Sequence, residues 1–454
     1  MSRSRRVLAG IGCFVFLALL LSGVSLAGKT GGYFGTDYDL GGATVTIVTW
    51  DGSSIPSQFL EGGSAAGWIQ EAEKLFNCKI VFDGADYTNY AEWCLTRYMA
   101  GDSVNDIWQV SNRIGYFGPL AKGALLPLDE VVGEGYFDRL SQEARFTADL
   151  LSYKGRRYVF SPSTDIPEDI VVPNQLTTVM YYNKTLILNE GLQDPYELYK
   201  AGEWTWAEFD RYVKRLTRDT NADGEVDQYG MTLTLDWLAV KFARANGAVD
   251  VKFDENGRAA FGFDDDAAKN AAEQLGRWHL IDKVMHPSWD QTGAFMGGNV
   301  GFLLYPLWHY QSIANNAAFQ FGILPIPMGP NVDRYVYPLQ SVGGWALPAN
   351  VKNPEALMAL LEYLYRGDDE TMYEDADAAL SMYASRQDME VALESALTWE
   401  GEVEGLFSDE GYPELRDAIR RTMDDLCWSS KAFSEVVNAR KPVIQGYLDD
   451  LFNQ

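Results

Sequence analysis

The chain has few of the residues on which most enzymes and metalloproteins depend. Its 454 residues include only 4 Cys and 3 His, and the histidines (His279, His286 and His309) do not have the spacing of a zinc site. The Gly-x-Ser-x-Gly and His-Glu-x-x-His motifs, the phosphate-binding glycine loop and the dinucleotide fingerprint are all absent. These absences argue against the common hydrolase, kinase and dehydrogenase classes. A glycosidase that uses two carboxylates stays open, because such a pair has no fixed spacing in sequence.

Basic residues are scarce relative to acidic ones. The chain has 37 Lys and Arg against 64 Asp and Glu, a formal net charge of -27 at pH 7. A surface of this sign repels nucleic acid and anionic lipid. We therefore expect no nucleic-acid partner, whereas an uncharged ligand is compatible with this charge.

Long apolar runs are lacking beyond the N-terminus. Three arginines among the first six residues precede an apolar run over residues 7–21, and small residues follow up to Ala27. Because the run is short for a spanning helix, we predict that residues 1–27 are a signal peptide cleaved after Ala27. An uncleaved membrane anchor is the alternative. Cys13 lies inside the apolar run and not behind it, so a lipoprotein is not expected, and the predicted location is periplasmic or extracellular.

Three cysteines remain after this cleavage, namely Cys78, Cys94 and Cys427. In an oxidising compartment Cys78 and Cys94 can pair, because they flank one short segment. The odd number leaves at least one thiol unpaired or available to another chain.

Strand and helix patterns alternate along the chain. A β-rich run at residues 44–50, a helical pattern at 64–76 and a second β-rich run at 79–82 form a βαβ unit, which predicts a parallel sheet and an α/β fold. Further strands are predicted at residues 106–110, 157–161, 178–182, 301–305 and 321–325, and further helices at 267–280 and after Asn353.

A helix start can be identified in residues 202–230. Thr205 is a candidate N-cap, and Glu208, three residues later, can close a capping box. Trp204 and Phe209 have the spacing of a hydrophobic staple. One apolar face at helical spacing then carries Phe209, Tyr212, Val213 and Leu216.

An Asp-rich loop follows this helix and has the oxygen spacing of an EF-hand. The candidate metal ligands are Asp219, Asn221, Asp223, Glu225 and Asp227. Gly224 occupies the sixth position, as in EF-hands, but Gly230 occupies the twelfth in place of the bidentate Glu. We predict a structural Ca²⁺ site. The alternative is a metal-free turn stabilised by Asx hydrogen bonds.

Ten segments in a fixed order give the chain a family resemblance. They are DLGGATVTIVTW, MAGDSVNDIW, LAKGALLPLDE, YKGRRYVFSP, MYYNKTL, GLQDPYELYKAGEWTWAEF, DTNADGEVDQYG, FMGGNVGFLLYPLW, FGILPIPMGP and VGGWALPANVKNPEALMALLEYL. In this order, and behind a signal peptide, they resemble the extracellular solute-binding proteins of ABC importers, in family 1, which includes maltose-binding proteins. The resemblance runs from about Leu40 to about Leu364, and the last hundred residues match only in being helical.

The resemblance implies a fold of two α/β lobes joined by a hinge, with the ligand cleft between them. Residues 40–173 and 326–365 would form the N-terminal lobe, and residues 174–325 and 366–454 the C-terminal lobe. It implies a monomeric, non-catalytic receptor with no required cofactor, which captures a sugar, in particular an oligosaccharide, and delivers it to the permease subunits of an ABC transporter.

Candidate ligand contacts lie at predicted strand ends, where loops line such a cleft. Aromatic faces suit sugar rings, and carboxylates and amides suit their hydroxyls. The candidates are Trp50, Asp51, Asn112, Trp237, Trp308 and Trp345, with Trp308 at the point where sugar-binding relatives place a stacking aromatic. The alternative for each Trp is core packing, which is predicted for Trp108.

Two other functions stay open at this point. One is a secreted glycoside-active enzyme that uses a carboxylate pair, which turnover of an oligosaccharide would reveal. The other is an extracellular adhesion module, which would not close on a ligand.

Overall fold

A computed structural model gives the fold of the chain. The structure describes residues 33–63, 65–133, 135–161, 173, 175–232, 237–339, 341–366, 377–397 and 413–453. The predicted signal peptide, residues 1–27, lies outside the described residues.

Strands and helices alternate through the described chain. The strands are β1 (Ala43–Thr49), β2 (Cys78–Gly84), β3 (Asp106–Ser111), β4 (Ser152–Tyr153), β5 (Arg156–Arg157), β6 (Thr178–Asn183), β7 (Tyr229–Thr232), β8 (Val251–Phe253), β9 (Ala259–Phe261), β10 (Val300–Pro306), β11 (Phe321–Leu324) and β12 (Gly343–Ala346). The helices are α1 (Trp68–Leu75), α2 (Tyr90–Ala100), α3 (Phe117–Ala121), α4 (Gln142–Leu150), α5 (Lys184–Asn189), α6 (Pro195–Lys200), α7 (Trp206–Leu216), α8 (Trp237–Arg244), α9 (Asp266–Gly276), α10 (Gln291–Met296), α11 (Tyr310–Asn316), α12 (Pro354–Leu364), α13 (Arg386–Leu397), α14 (Pro413–Trp428) and α15 (Phe433–Phe452).

The first sheet has four strands in the order β12-β3-β1-β2. β1 runs parallel to both β2 and β3, and this confirms the predicted βαβ unit. β12 joins from far along the chain and runs antiparallel to β3, with Trp345 opposite Gln109. The carboxyl ends of β1 and β3 and the amino end of β12 therefore meet at one edge.

The second sheet also has four strands, in the order β11-β6-β10-β7. β6 is antiparallel to both of its neighbours, whereas β10 is parallel to β7. The C-terminal helices α14 and α15 pack against this part of the molecule, where α14 contacts α9 and α15 contacts β9. None of the helices in the described ranges combines the length and the apolarity that a bilayer-spanning segment requires.

The two faces of the first sheet belong to different hydrophobic clusters, and this separates the two cysteines predicted to pair. Val48, which is fully buried, packs in the cluster that contains Cys94, and Ile47 packs in the cluster that Cys78 contacts. Successive residues of a strand point to opposite faces. Cys78 and Cys94 thus lie on opposite sides of the sheet and are both free thiols, so the predicted pairing is wrong.

The start of α7 follows the sequence prediction in part. The staple is confirmed, since the rings of Trp204 and Phe209 lie 5.7 Å apart edge to face, and the predicted apolar face is fully buried. The capping box is wrong. Thr205 is the N-cap but accepts no side-chain bond, and Glu208 instead accepts a 2.7 Å hydrogen bond from Arg211.

Three other predicted elements differ in their bounds. The helix predicted from residue 64 begins only at Trp68, because Gly67 has a left-handed φ of 88°. The strand predicted at 157–161 is reduced to the two-residue β5, after which Phe160 forms a single bridge with Trp345. The helix predicted at 267–280 ends as α9 at Gly276 and continues as a π-helical turn, Arg277–Ile281.

Candidate functional site

A cavity of about 890 Å³ opens at the edge of the first sheet where β1 and β3 end and β12 begins. It also lies where the chain passes between the sheets, since Leu176 precedes β6 and Ser341 precedes β12. Ligands of open α/β sheets bind at such carboxyl edges. The cavity is lined by Thr49, Trp50, Asp51, Ser54, Ile55, Pro56, Gln58, Gln109, Ser111, Ser161, Leu176, Ser341, Gly343, Gly344, Trp345 and Tyr365.

Three aromatic side chains, those of Trp50, Trp345 and Tyr365, contribute to the apolar part of this lining. Trp50 directly follows β1, and its ring meets that of Tyr90 edge to face at 5.9 Å. Trp345 is 7% exposed, and its ring packs on that of Tyr365 at 5.4 Å. These contacts hold the rings in place before any ligand arrives, which lowers the entropic cost of binding.

Gln109 supplies an unused hydrogen-bond acceptor at this site. Its side-chain Oε1 is buried and has no hydrogen-bond partner in the described part of the chain. Its backbone carbonyl accepts a 2.6 Å hydrogen bond from Tyr90, and this fixes the strand behind the cavity. An unsatisfied buried amide oxygen calls for an explanation. A donor on a bound ligand would satisfy it.

The polar lining carries little charge. Asp51 is the only carboxylic acid among the described residues of the lining, and these residues include no Lys, Arg or His. The remaining polar groups are hydroxyls and amides, including those of Ser111 and Gln58. Such a wall exchanges hydrogen bonds with neutral hydroxyl groups and offers no cation to pair with an anion.

Asn112, a predicted ligand contact, lies behind this wall. It is fully buried, and its Oδ1 accepts hydrogen bonds from the Ser341 hydroxyl at 3.1 Å and the Val342 amide at 2.9 Å. It is not among the residues that line the cavity. Asn112 therefore positions the segment that leads into β12.

The other predicted aromatic contacts are placed differently from Trp50 and Trp345. Trp308 follows β10 and is 46% exposed. Its backbone amide donates a 2.8 Å hydrogen bond to the carbonyl of Gln175, next to the lining residue Leu176. Trp308 thus lies beside the cavity without lining it. Trp237 begins α8, but its side chain lies outside the described residues.

Several lining residues are not predictable, or only weakly predictable, from the sequence. Gln109 had a detectable signal, since it is the polar residue in the interior of the otherwise apolar run of β3. Gln58 and Tyr365 had no such signal in the sequence. Gln58 lies in a short 3-10 turn and Tyr365 at the end of α12, and both reach the cavity only through tertiary packing.

The Asp-rich loop is held together by its own hydrogen bonds. The Asp219 carboxylate accepts from the amides of Ala222 at 2.6 Å and Gly224 at 2.8 Å, and Asp223 accepts from Glu225 at 2.8 Å. Backbone N–H donation from Thr220 lowers the pKa of Asp227 below its ordinary value.

This geometry matches the Asx-turn alternative more closely than an EF-hand. The strand β7, and not a helix, follows the loop. In the described part of the chain no group of three or more His, Cys, Asp or Glu side chains is arranged to hold a metal ion. Calcium binding at this loop stays a prediction.

Comparison with known proteins gives the family. Residues 57–368 match the family model described as bacterial extracellular solute-binding protein. Because this match covers most of the chain, the protein belongs to that family. The sequence matches no curated protein.

Solved structures of similar fold belong to the same class. An extracellular solute-binding protein from Staphylococcus aureus in complex with maltose has a TM-score of 0.64 at 14% identity, covering 89% of this chain and 98% of that one. An ABC substrate-binding protein from Listeria monocytogenes in complex with cycloalternan has a TM-score of 0.59 at 14% identity, covering 90% and 99%. A maltose/maltodextrin-binding domain from Bdellovibrio bacteriovorus bound to maltotriose has a TM-score of 0.57 at 17% identity, covering 89% and 99%. The predicted two-lobed α/β fold is confirmed.

Proposed function

We propose that this protein is an extracytoplasmic receptor that captures a sugar, in particular an oligosaccharide, and delivers it to the permease subunits of an ABC transporter. Membership of the solute-binding family supports the receptor role. The neighbours in complex with maltose, maltotriose and cycloalternan support the sugar class.

The observation that carries this proposal is the composition of the cavity. Trp50, Trp345 and Tyr365 supply ring faces, which suit the C–H faces of a pyranose. Gln109 supplies a buried acceptor without a partner, and this suits a sugar hydroxyl. The volume, about 890 Å³, lies within the ordinary range for small-molecule sites and accommodates more than one sugar unit.

The same lining favours a receptor over the alternative of a glycosidase. Hydrolysis of a glycoside uses two carboxyl groups that flank the scissile bond. In the described lining Asp51 is the only carboxylate. The site as described therefore supports binding without turnover.

Closure of two lobes is part of the proposal. The predicted division places residues 40–173 with 326–365 in one lobe and residues 174–325 with 366–454 in the other. The amide of Trp206 donates to the carbonyl of Met328 at 3.0 Å, and that of Thr178 donates to Pro338 at 2.8 Å. Met328 and Pro338 are thus hydrogen-bonded to elements of the second lobe. The point where the chain crosses into the first lobe is therefore expected nearer Gly343 than residue 326. Trp308, beside the cavity on the second lobe, would then approach the ligand as the lobes rotate.

Calorimetric titration of the secreted protein tests the function. We expect saturable binding of at least one sugar in a panel that includes maltose, maltotriose and a cyclic oligosaccharide. Small-angle scattering should show a smaller radius of gyration for the bound protein. Chromatography of the sugar after incubation should show no cleavage, and release of shorter products would support the enzyme alternative instead. Binding of an amino acid or peptide, with no sugar bound, would contradict the sugar class and leave the receptor role intact.

Export through a cleavable signal peptide is the remaining part of the proposal. The basic start, the short apolar run and the small residues before Gly28 support it. Mass spectrometry of secreted protein should give a chain that begins at Gly28, and size-exclusion chromatography with light scattering should give a monomer. Retention of the first six residues in the mature chain would contradict cleavage.

A further inference from the structure

A second cavity, of about 590 Å³, lies away from the cleft at the amino-terminal end of β7. Since β7 is parallel to β10, this end is opposite to the end that leads to Trp308. The second cavity is lined by Gly224, Glu225, Val226, Tyr229, His279, Leu280, Lys283, Met285, His286, Pro287, Ser288, Trp289 and Gln291, and it shares no residue with the first.

Two structural features unused by the receptor function build its walls. One is the tip of the Asp-rich loop, where the amide of Glu225 donates a 2.8 Å hydrogen bond to the Asp223 carboxylate, with Val226 next to it on the lining. The other is the π-helical turn Arg277–Ile281, which carries His279 and ends beside Lys283, a non-glycine residue with a left-handed φ of 50°. Single π-helical turns and strained backbone are both frequent at functional sites.

Gln291 is the residue that points most directly to a ligand. It is 4% exposed and lines the cavity. No hydrogen bond within the described part of the chain engages its side-chain amide, and the amide atoms are not sealed off from the cavity. The donors and the acceptor of this amide are therefore available to a ligand in the cavity. A ligand that both accepts and donates hydrogen bonds matches them.

Trp289 is 75% exposed at the edge of this cavity, although a ring of this size is normally covered. It makes no ring–ring contact with another described residue, whereas Tyr229 beside it is held edge to face against His286 at 4.8 Å. The amide of Ser288 donates to Nδ1 of His286 at 3.1 Å, so the proton of the neutral ring is on Nε2. The cavity thus presents an open aromatic face next to fixed donors.

The charges of the lining come in both signs. Glu225 and Lys283 both lie on it, and neither forms an ion pair within the described residues. An ionic ligand would meet one repulsive partner, whereas a hydroxyl can donate to the carboxylate and accept from the ammonium. Burial lowers the pKa of His286 below its ordinary value of 6.5, so this ring is neutral at pH 7.

From the open Trp289 face, the unengaged Gln291 amide and the balanced charges, we infer that this cavity is a second saccharide-binding site, selective for a neutral sugar unit. It would hold a glycan or one end of a long oligosaccharide on the surface of the second lobe, independently of the interlobe cleft. Stacking on one ring with a few hydrogen bonds favours weak binding, with a Kd on the order of 1 mM.

Fluorine NMR of the full mature protein labelled with 5-fluorotryptophan tests this site directly. The Trp289 resonance is assigned from its loss in Trp289→Phe. We expect a saturable shift of this resonance with at least one of maltose, maltotriose, cellobiose and chitobiose at concentrations up to about 20 mM. Gln291→Leu, which keeps the shape of the side chain, should weaken this binding by about ten-fold or more.

Ile281→Ala is the matched control. Ile281 is 75% exposed, as Trp289 is, and it lies on the π-helical turn that carries His279. It does not line the cavity. The shift of Trp289 should therefore persist in this variant with an unchanged Kd. The resonance of Trp50 reports on the cleft in the same titration. Absence of sugar binding at the second cavity is therefore distinguished from absence of sugar binding in the cleft.

Three results would overturn the inference. The first is no saturable shift of Trp289 with any of the four sugars. The second is a shift that survives Gln291→Leu unchanged. The third is a Trp289 shift that appears only with liposomes containing the permease, which would identify the cavity as a protein contact.

Discussion

Replacement of Trp50 by alanine is the sharpest test of the proposed cleft. Trp50 lines the cavity, and its ring is only partly buried, so one face is open to stack on a sugar. A buried Trp removes about 150–250 Å² from water. If the sugar covers about a third of this, roughly 50–80 Å² at about 25 cal/mol per Å² gives about 1.3–2 kcal/mol. We therefore expect Trp50→Ala to weaken sugar binding by about ten- to thirty-fold.

Trp93→Ala is the matched control for this change. Trp93 is also partly buried and lies on α2 in the same part of the chain, where the guanidinium of Arg97 lies 4.9 Å from its ring. It does not line the cavity. Both variants should lose some stability, because each leaves neighbouring side chains less well packed, but only Trp50→Ala should lose affinity.

Isothermal titration calorimetry on the native protein and both variants measures the effect, with thermal unfolding as a check on folding. A native protein that binds a sugar, together with a Trp50→Ala variant of unchanged Kd, would refute the stacking role. An equal loss of affinity in Trp93→Ala would show that the effect arises from general destabilisation.

Three further predictions follow from other parts of the molecule. Trp308→Ala should weaken sugar binding by about ten-fold if the ring, which is 46% exposed, meets the ligand on closure; an unchanged Kd measured by calorimetry would place Trp308 outside the site. Asp223→Ala should lower the melting temperature more in calcium than in chelator, where only its hydrogen bond to the Glu225 amide is lost, and a native melting temperature that does not respond to calcium would show that the loop binds no metal. Glu362 is buried and accepts a 2.8 Å hydrogen bond from Tyr136, and burial raises its pKa above the ordinary value of 4.5. The folded state therefore takes up this proton at a higher pH than the unfolded chain, so the native protein should gain stability relative to Glu362→Gln as the pH falls from 7 towards 4.5; a difference in urea unfolding free energy that does not change with pH would contradict this.

Local patterns in the sequence were reliable where the interacting residues are close in the chain. The hydrophobic staple of Trp204 on Phe209 and the buried face of α7 were predicted because helical spacing fixes those contacts. The parallel pairing of β1 with β2 follows from one βαβ unit. The capping box failed because Glu208 had another partner within reach, namely Arg211, which competes for the same carboxylate.

Predictions made from spacing in the sequence were wrong where the geometry of the sheet decides which way a side chain points. Cys78 and Cys94 are close in sequence, but the alternation of side chains across the first sheet puts them on opposite faces. Asn112 follows a strand at the cavity edge, as predicted, yet it is turned inward to hold Ser341 and Val342. The direction in which these side chains point depends on neighbouring strands and cannot be obtained from a single segment of the sequence.

The sequence by itself determined the class of protein, because the order of its segments and the alternation of strands and helices are properties of the chain alone. It also determined that Trp50 and Asp51 stand at a sheet edge, since they directly follow a strand of a parallel unit. Only the tertiary structure decided which residues share a cavity. Antiparallel pairing of β12 with β3 brings Trp345 beside Gln109, and the end of α12 brings Tyr365 against Trp345. The first of these contacts joins residues more than two hundred positions apart, and both depend on the packing of whole elements, which no local pattern encodes.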